Sequence, residues 1–499
     1  MARGKKKEEN LTLEEKLKQA LVPEEEWPYE VPGNWCWVRL KDVAFVITGG
    51  TPSKNKPEYY GGTFPFFKPA DLDYGRNMVA ASEFLSEEGK AVSRCIPAKS
   101  TAVCCIGSIG KCGYLCVDGT TNQQINSAIP KVNSLFLYYY CNTILFTKQL
   151  RLKASATTIS IVNKSKMEQC LFPLPPLREQ QRIANHIEEM FYKLDEIKEK
   201  TQLVLESSED RKAAILYKAF SGALTAKWRK HKGVSFEGWI TKPLSEVATL
   251  QTGLMKGKRN NQKTVLLPYL RVANVQDGYL DLKEIKNIEV DVLKIERYRL
   301  KKGDVLFTEG GDFDKLGRSS VWNEEIPDCI HQNHIFVVRT QTDTLDPYFL
   351  SLQAGSRYGK TYFIGCSKQT TNLASINSTQ LKNFPVLIPT IEEQREIVNI
   401  LNFFLGKEEQ IKQNCLKLLE KIEEIKKSIL SRAFRGELGT NNPDEESSIE
   451  LLKTILQRPG FTCTDEEETI DSLLGEISRF KNDGCPPENR DPECGLISR

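Results

Sequence analysis

The sequence predicts a mixed α/β (α+β) fold, in which one globular domain occurs twice and each copy is followed by a long heptad helix. Three observations carry this. The chain repeats itself: Trp35, Leu40, Val43, Thr48 and Gly49 recur as Trp239, Leu244, Val247, Thr252 and Gly253, a shift of 204 positions. Pro65-Phe66-Phe67-Lys68 with Ala70 returns as Pro268-Tyr269-Leu270-Arg271 with Ala273 at a shift of 203. Glu179-Gln180, Ala219-Phe220 and Gly222 return as Glu393-Gln394, Ala433-Phe434 and Gly436 at a shift of 214. Fixed spacing inside each motif with drifting shifts between motifs marks two diverged copies, and a period above 200 residues is a domain rather than a solenoid unit. Second, two segments carry apolar positions in four–three alternation. Third, the regions between them are rich in β-branched and aromatic runs cut by Gly, Asn, Asp and Pro, such as Thr101–Ile106 and Val305–Thr308.

Taken in order, residues 1–32 are a basic stub with a short helix expected at Leu13–Leu21. Residues 33–176 form the first globule. Residues 177–235 hold the first long helix and a linker. It begins after Pro175-Pro176, where proline suits a helix start, and its stripe runs through Ile183, Ile187, Met190, Leu194, Ile197, Thr201, Val204, Ser208, Arg211 and Ile215. Residues 236–390 form the second globule. Residues 391–438 hold the second helix, striped through Ile397, Leu401, Phe404, Glu408, Ile411, Cys415, Leu418, Ile422, Ile425, Ile429 and Arg432. Helices of about 40 residues reach roughly 60 Å at 1.5 Å per residue. Such matched stripes pack most economically on each other, although each helix could instead lie on its own globule. Residues 439–499 are an acidic tail.

The overall charge of +3 hides an asymmetry. Residues 440–499 hold fourteen Asp/Glu against six Lys/Arg, a balance of −8, so the preceding residues carry +11. That excess suits a polyanionic partner. No stretch reaches the run of about 18 apolar residues that a membrane span needs, and the charged start lacks a signal-peptide core. Fourteen cysteines without such a signal read as reduced thiols in a cytoplasmic protein. Cys104-Cys105, Cys112 and Cys116 form no paired CxxC set, and His331 and His334 lack completing ligands, so no metal site is expected.

Catalytic signatures are missing. Gly107-Ser108-Ile109-Gly110-Lys111 fails the phosphate-loop spacing, with Cys112 where Ser or Thr should follow, and reads as a glycine-rich turn between strands. There is no amino-methyltransferase Asn/Asp-Pro-Pro-aromatic tetrad, no GxSxG elbow and no HExxH. Glu-x-Lys pairs such as Glu284–Lys286 and Glu424–Lys426 lack the upstream Pro-Asp of a nuclease. The chain reads as a binder.

Pro-Leu-Pro-Pro-Leu-Arg-Glu-Gln-Gln-Arg-Ile (173–183) and its echo Ile-Pro-Thr-Ile-Glu-Glu-Gln-Arg-Glu-Ile (388–397) join the duplication and the paired helices. With Val31-Pro32 and Trp35, the Gly49-Gly50-Thr51-Pro52 turn, Ala219-Phe220-Ser221-Gly222 and Ala433-Phe434-Arg435-Gly436-Glu437-Leu438, they resemble the specificity subunit of type I DNA restriction–modification systems. The resemblance covers about residues 12–457, and residues 458–499 fit no pattern of that family. It implies two target-recognition domains (33–176 and 236–390) separated by two long helices in an antiparallel coiled coil. Each domain would read one half of a bipartite, asymmetric site on double-stranded DNA, and the helices would set the unread gap. The implied partners are two modification (methyltransferase) subunits and restriction (translocase/nuclease) subunits, with no membrane. The chain itself would hold no catalytic residue, metal or cofactor. S-adenosylmethionine, ATP and Mg belong to the partners, whose assembly is the adenine methyltransferase and site-specific deoxyribonuclease.

Base edges are read by amide, guanidinium and ammonium groups. The candidates in the first domain are Lys54, Lys68, Lys111, Gln123, Gln124, Lys153, Thr157 and Thr158. In the second they are Lys256, Lys258, Arg259, Arg271, Arg318, Gln332, Lys368, Gln369, Thr370 and Thr371. Thr157-Thr158 and Thr370-Thr371 stand out, each in the polar segment before its heptad helix. The competing readings are an enzyme fused to such domains, which the missing motifs oppose, and a coiled-coil scaffold that never touches DNA.

Overall fold

The computed structural model describes residues 11–155, 160–255, 263–311, 316–369 and 374–457. The chain divides into two compact units: residues 1–196 with 421–499, and residues 197–420. Both divisions fall inside the long helices, which span Leu177–Glu206 (continued by Ser208–Phe220) and Ile391–Ala433. Among the described residues, no helix is long and apolar enough to cross a membrane.

In the first unit the strands are β1 (Cys36–Arg39), β2 (Ala44–Thr48), β3 (Tyr60–Phe67), β4 (Glu83–Leu85), β5 (Thr101–Cys104), β6 (Cys112–Tyr114), β7 (Thr120–Thr121), β8 (Ile125–Pro130) and β9 (Leu171–Leu174). They form a four-stranded sheet in the order β2-β8-β5-β6, a three-stranded sheet β4-β3-β7 and a pair β1-β9. The four-stranded sheet is antiparallel and covered on both faces. Val103 and Cys105 enter one apolar cluster with Val46, Phe136 and Ile187, while Ala102 and Cys104 enter another with Leu72, Met78 and Leu115. That alternation is the period of two expected of a strand. Two-sided burial explains why these segments read as near-continuous apolar runs.

The second unit repeats this plan. Its strands are β10 (Ile240–Pro243), β11 (Ala248–Thr252), β12 (Thr264–Leu270), β13 (Lys286–Asp291), β14 (Val305–Thr308), β15 (Gly310–Gly311), β16 (Ser319–Val321), β17 (Ile330–His331), β18 (Ile335–Thr340), β19 (Lys368–Gln369), β20 (Ala374–Ser375) and β21 (Pro385–Ile388). The order β11-β18-β14-β16 copies β2-β8-β5-β6, β13-β12-β17 copies β4-β3-β7, and β10-β21 copies β1-β9. The parallel pairing in each three-stranded sheet, β3 with β7 and β12 with β17, is also kept. The small sheet β15-β20-β19 corresponds to the bridges Ile106–Ile161 and Ser155–Ile161 of the first unit.

The helix ends are set by local chemistry. Thr12 caps the helix Leu13–Ala20 in a capping box: its hydroxyl accepts from the Glu15 amide at 3.3 Å, and the Glu15 carboxylate accepts from the Thr12 amide at 2.8 Å. Gly222 and Gly436 end the two long helical segments with φ of 76° and 73°. A Cβ there would come within 2.1 Å of Phe236 or 2.4 Å of Pro32, so only glycine fits.

Within each unit the two helices run antiparallel. In the first, Asp195 pairs with Lys426 and Glu179 with Asn441. In the second, Arg211 pairs with Glu408 and Thr225 with Glu393. Phe434 packs on Phe136 and Tyr140 in the first unit, and Phe220 on Phe349 in the second. Each globule is therefore closed by the helix that begins at its own end and by the tail of the other one. The seam is uneven. Thr201, Ser208, Glu408 and Ile422 are buried, but Ile197 and Ile411 remain 44% and 41% exposed. The heptad stripe names the helix face, yet only part of that face is covered.

Candidate nucleic-acid interface

β2, β5 and β8 fix one end of the first unit's sheet, because Thr48 pairs with Asn126 and Cys104 with Ile125. Four segments leave from that end. The turn after β2 packs its Gly49 amide on the Ile125 carbonyl at 3.0 Å and its Gly50 amide on the Thr121 carbonyl at 2.8 Å. A Cβ on Gly49 would lie 2.3 Å from the Thr121 and Asn122 carbonyls, which requires glycine. This turn leads to the exposed Lys54. The turn before β8 carries Gln123, whose Oε1 accepts from the Thr51 hydroxyl, and Gln124, whose Oε1 accepts from the Asn122 amide at 3.0 Å.

The third segment is the turn 105–111, which joins β5 to β6 with Gly107 and Gly110 at positive φ. The fourth lies beyond the helix Ile144–Lys153 and is tied back by the Val162 amide on the Cys105 carbonyl at 2.9 Å. Gly107 to Lys111, Thr147, Arg151, Ala154 and Ser160 line an open depression of about 780 Å³. Lys111 and Arg151 make it cationic. Burial pushes the Cys105 thiol up to about 12, so it offers no thiolate there.

The cations are tethered. The Lys111 ammonium reaches Asp73 at 2.8 Å and the Pro69 carbonyl at 2.7 Å, while Lys68 pairs with Glu83 at 2.7 Å. Such pairing orients the groups and spends part of their charge. Lys153 closes its helix, half-buried. Thr157 and Thr158 lie outside the described residues.

The second unit assembles the same end from its own copy. Thr308 pairs with Ile335, and the Gln332 amide donates to the Leu270 carbonyl at 3.0 Å, matching Asn122 to Phe67 at 3.1 Å. Arg318 donates to Gln276 at 2.7 Å, and Arg271 pairs with Glu284 at 3.4 Å. Lys368 and Gln369 form β19, which joins this end through β20. Lys256, Lys258, Arg259, Thr370 and Thr371 lie outside the described residues.

Two kinds of residue escaped sequence reasoning. Arg151 and Thr147 share a helix face toward Gly110, and their i,i+4 spacing was the available signal. The other is a register difference. Ile125 and Ile335 begin equivalent strands, so Gln332 stands where Asn122 stands, and Asn333 and His334 take the places of Gln123 and Gln124. Shift-matching missed this because the connections from β14 to β16 and from β16 to β17 are each longer than those from β5 to β6 and from β6 to β7. Beneath it, burial holds the His331 imidazole down at about 4, and its Nδ1 faces the Tyr298 carbonyl at 3.1 Å. Among the described residues, no three His, Cys, Asp or Glu side chains converge as a metal site.

The family model of the type I restriction modification DNA specificity domain matches this chain twice, over residues 32–207 and 236–421. The chain is 23% identical over 460 residues to the EcoKI specificity subunit of Escherichia coli K12, covering 85% of this chain and 96% of that one. It is 26% identical over 346 residues to the EcoBI specificity subunit of Escherichia coli, covering 65% and 72%. In structure it is similar to the HsdS subunit from Thermoanaerobacter tengcongensis, with a TM-score of 0.56, 20% identity, and coverage of 83% of this chain and all of that one. A chain from a structure of type I restriction–modification complex assembly gives a TM-score of 0.60 at 22% identity, with coverage of 82% and 100%. At such identities the two structures establish the fold, and the doubled family match establishes the family. This chain belongs to the type I restriction–modification DNA specificity family.

Proposed function

We propose that the loop-bearing end of each sheet is the reading surface, and that the two ends read the two halves of one bipartite, asymmetric DNA site. The chain is the non-catalytic recognition subunit, and it directs adenine methylation and restriction by partners. Two modification subunits dock on it and carry S-adenosylmethionine, while restriction subunits bring ATP and Mg. This chain holds no cofactor of its own and works in the cytoplasm. The helix pair sets the gap between half-sites.

The supporting observation is that one sheet end is built twice from matching strand pairings, with amides and tethered cations beside it among the described residues. Amides and guanidinium groups suit base edges, while lysines suit phosphates. The domains at 33–176 and 236–390 would serve as the two readers. Unlike residues in equivalent turns favour unlike half-sites. The scaffold that never touches DNA is set aside, because both halves match a DNA specificity domain.

The test is to co-express the chain with its modification subunits and sequence the methylated adenines. One motif of two dissimilar halves around a fixed gap is expected. An assembled complex that methylates without sequence preference would overturn the proposal.

A further inference from the structure

Resting on that reading, we propose that Asn333 is a base-specificity residue of the second domain and reads the major-groove edge of an adenine, held in orientation by His334 and Glu309. Three contacts place it. The Glu309 amide donates to the His334 carbonyl at 3.0 Å, as Cys105 does to Gln124 at 2.8 Å. Ile335 opens β18 opposite Thr308, as Ile125 opens β8 opposite Cys104. The Asn333 backbone N–H donates to the Leu254 carbonyl at 3.0 Å, which fixes the turn on the strand side, and Asn333 is partly exposed.

The side chains then form a line. Glu309 Oε2 lies 2.5 Å from His334 Nδ1, and His334 Nε2 lies 3.4 Å from Asn333 Nδ2. With the proton on Nδ1 donated to Glu309, Nε2 accepts one amide proton of Asn333. The second amide proton and Oδ1 remain together on one edge. A donor beside an acceptor on a planar group matches adenine, whose N7 accepts and whose N6 donates. His334 is half exposed, so the line lies at the surface where a groove can reach it. His334 and Glu309 touch no base in this scheme and act as positioning residues.

Methylation mapping of the assembled complex tests this with Asn333→Asp, which keeps the shape and replaces the donor with an acceptor. Preference at one position of one half-site should move from adenine toward cytosine, whose N4 donates to a carboxylate. Discrimination in favour of adenine should fall at least about tenfold there, with the other half-site and the gap unchanged. His334→Ala should relax the same position without creating a new preference. An Asn333→Asp complex that methylates the wild-type motif, or loses methylation evenly at every position, overturns the assignment. Absence of a bipartite motif from the wild-type complex would overturn the DNA-reading function itself, so the two failures are distinct.

Discussion

The Trp35 indole N–H donates to Oε2 of Glu179 at 2.7 Å, joining the entrance of the first globule to the start of its long helix. Trp239 does the same to Glu393 at 3.0 Å. Both carboxylates are fully buried, and the neighbouring Gln180 and Gln394 accept the Asn133 and Asp346 backbone amides at 3.0 and 2.8 Å. The most legible repeated motif, Trp with Glu-Gln, is thus a clamp that holds the helices rather than a reading element.

The clamps differ in their other partners, and that difference predicts unequal sensitivity. Glu179 takes its second donor from the neutral Asn441 amide at 2.9 Å, and burial raises its carboxyl above the usual range. Glu393 faces the buried Arg229 guanidinium and the Thr225 hydroxyl. Glu179→Gln should cost about 1 kcal/mol or less, since neutral donors tolerate an amide oxygen. Glu393→Gln strands a buried cation and should cost about 3 kcal/mol. Chemical denaturation followed by hydrogen exchange in each unit measures both, and equal losses would refute the distinction.

His331 makes stability depend on pH. Its folded imidazole stays neutral down to about 4 because it is buried, whereas the unfolded chain takes up a proton below about 6.5. Stability is therefore full above about pH 6.5, falls as pH drops toward 4, and levels off below that. The loss should approach about 3 kcal/mol at roughly 1.4 kcal/mol per unit. Melting curves across that window should flatten in His331→Gln. An unchanged acid slope in that variant would assign it to other groups.

Arg211 and Glu408 place an ion pair in the helix seam, with Nε at 3.1 and 3.0 Å from the two carboxylate oxygens. Arg211 also donates to the Val204 carbonyl at 3.1 Å, beside the break at Ser207 between the two helical segments. A polar layer of this kind fixes register. Arg211→Gln and Glu408→Gln should each lower the melting temperature, and the double variant should lower it by less than their sum. Additive losses would mean that the pair does not couple.

The helices should also act as a ruler. Removing seven residues from each keeps the heptad register and shortens the pair by about 10 Å at 1.5 Å per residue. At about 3.4 Å per base pair, the methylated motif should lose about three base pairs of gap. A four-residue deletion in the first helix alone, such as Thr201–Val204, breaks the register and should block assembly. An unchanged gap in an active seven-residue double deletion would remove the helices from this role.

The sequence by itself determined the duplication, the two long helices and their starts after proline, because these depend on spacing along the chain. Gly222 and Gly436 were legible as a repeated pair for the same reason, since a left-handed residue is a local requirement, whereas the Thr12–Glu15 cap came from the structure. Tertiary structure decided what spacing cannot carry. The exposure of Ile197 and Ile411 depends on how much of a neighbouring helix covers them. Asn441 and Arg182–Glu445 tie the C-terminal segment onto the first unit across more than 250 residues, where sequence period has no reach. The equivalence of Asn333 and His334 with Gln123 and Gln124 follows from strand pairing, which absorbs the two longer connections before them. Hydrogen bonds between strands count from the ladder, whereas a sequence shift counts from the chain, and only the ladder decides which side chain stands at the sheet end.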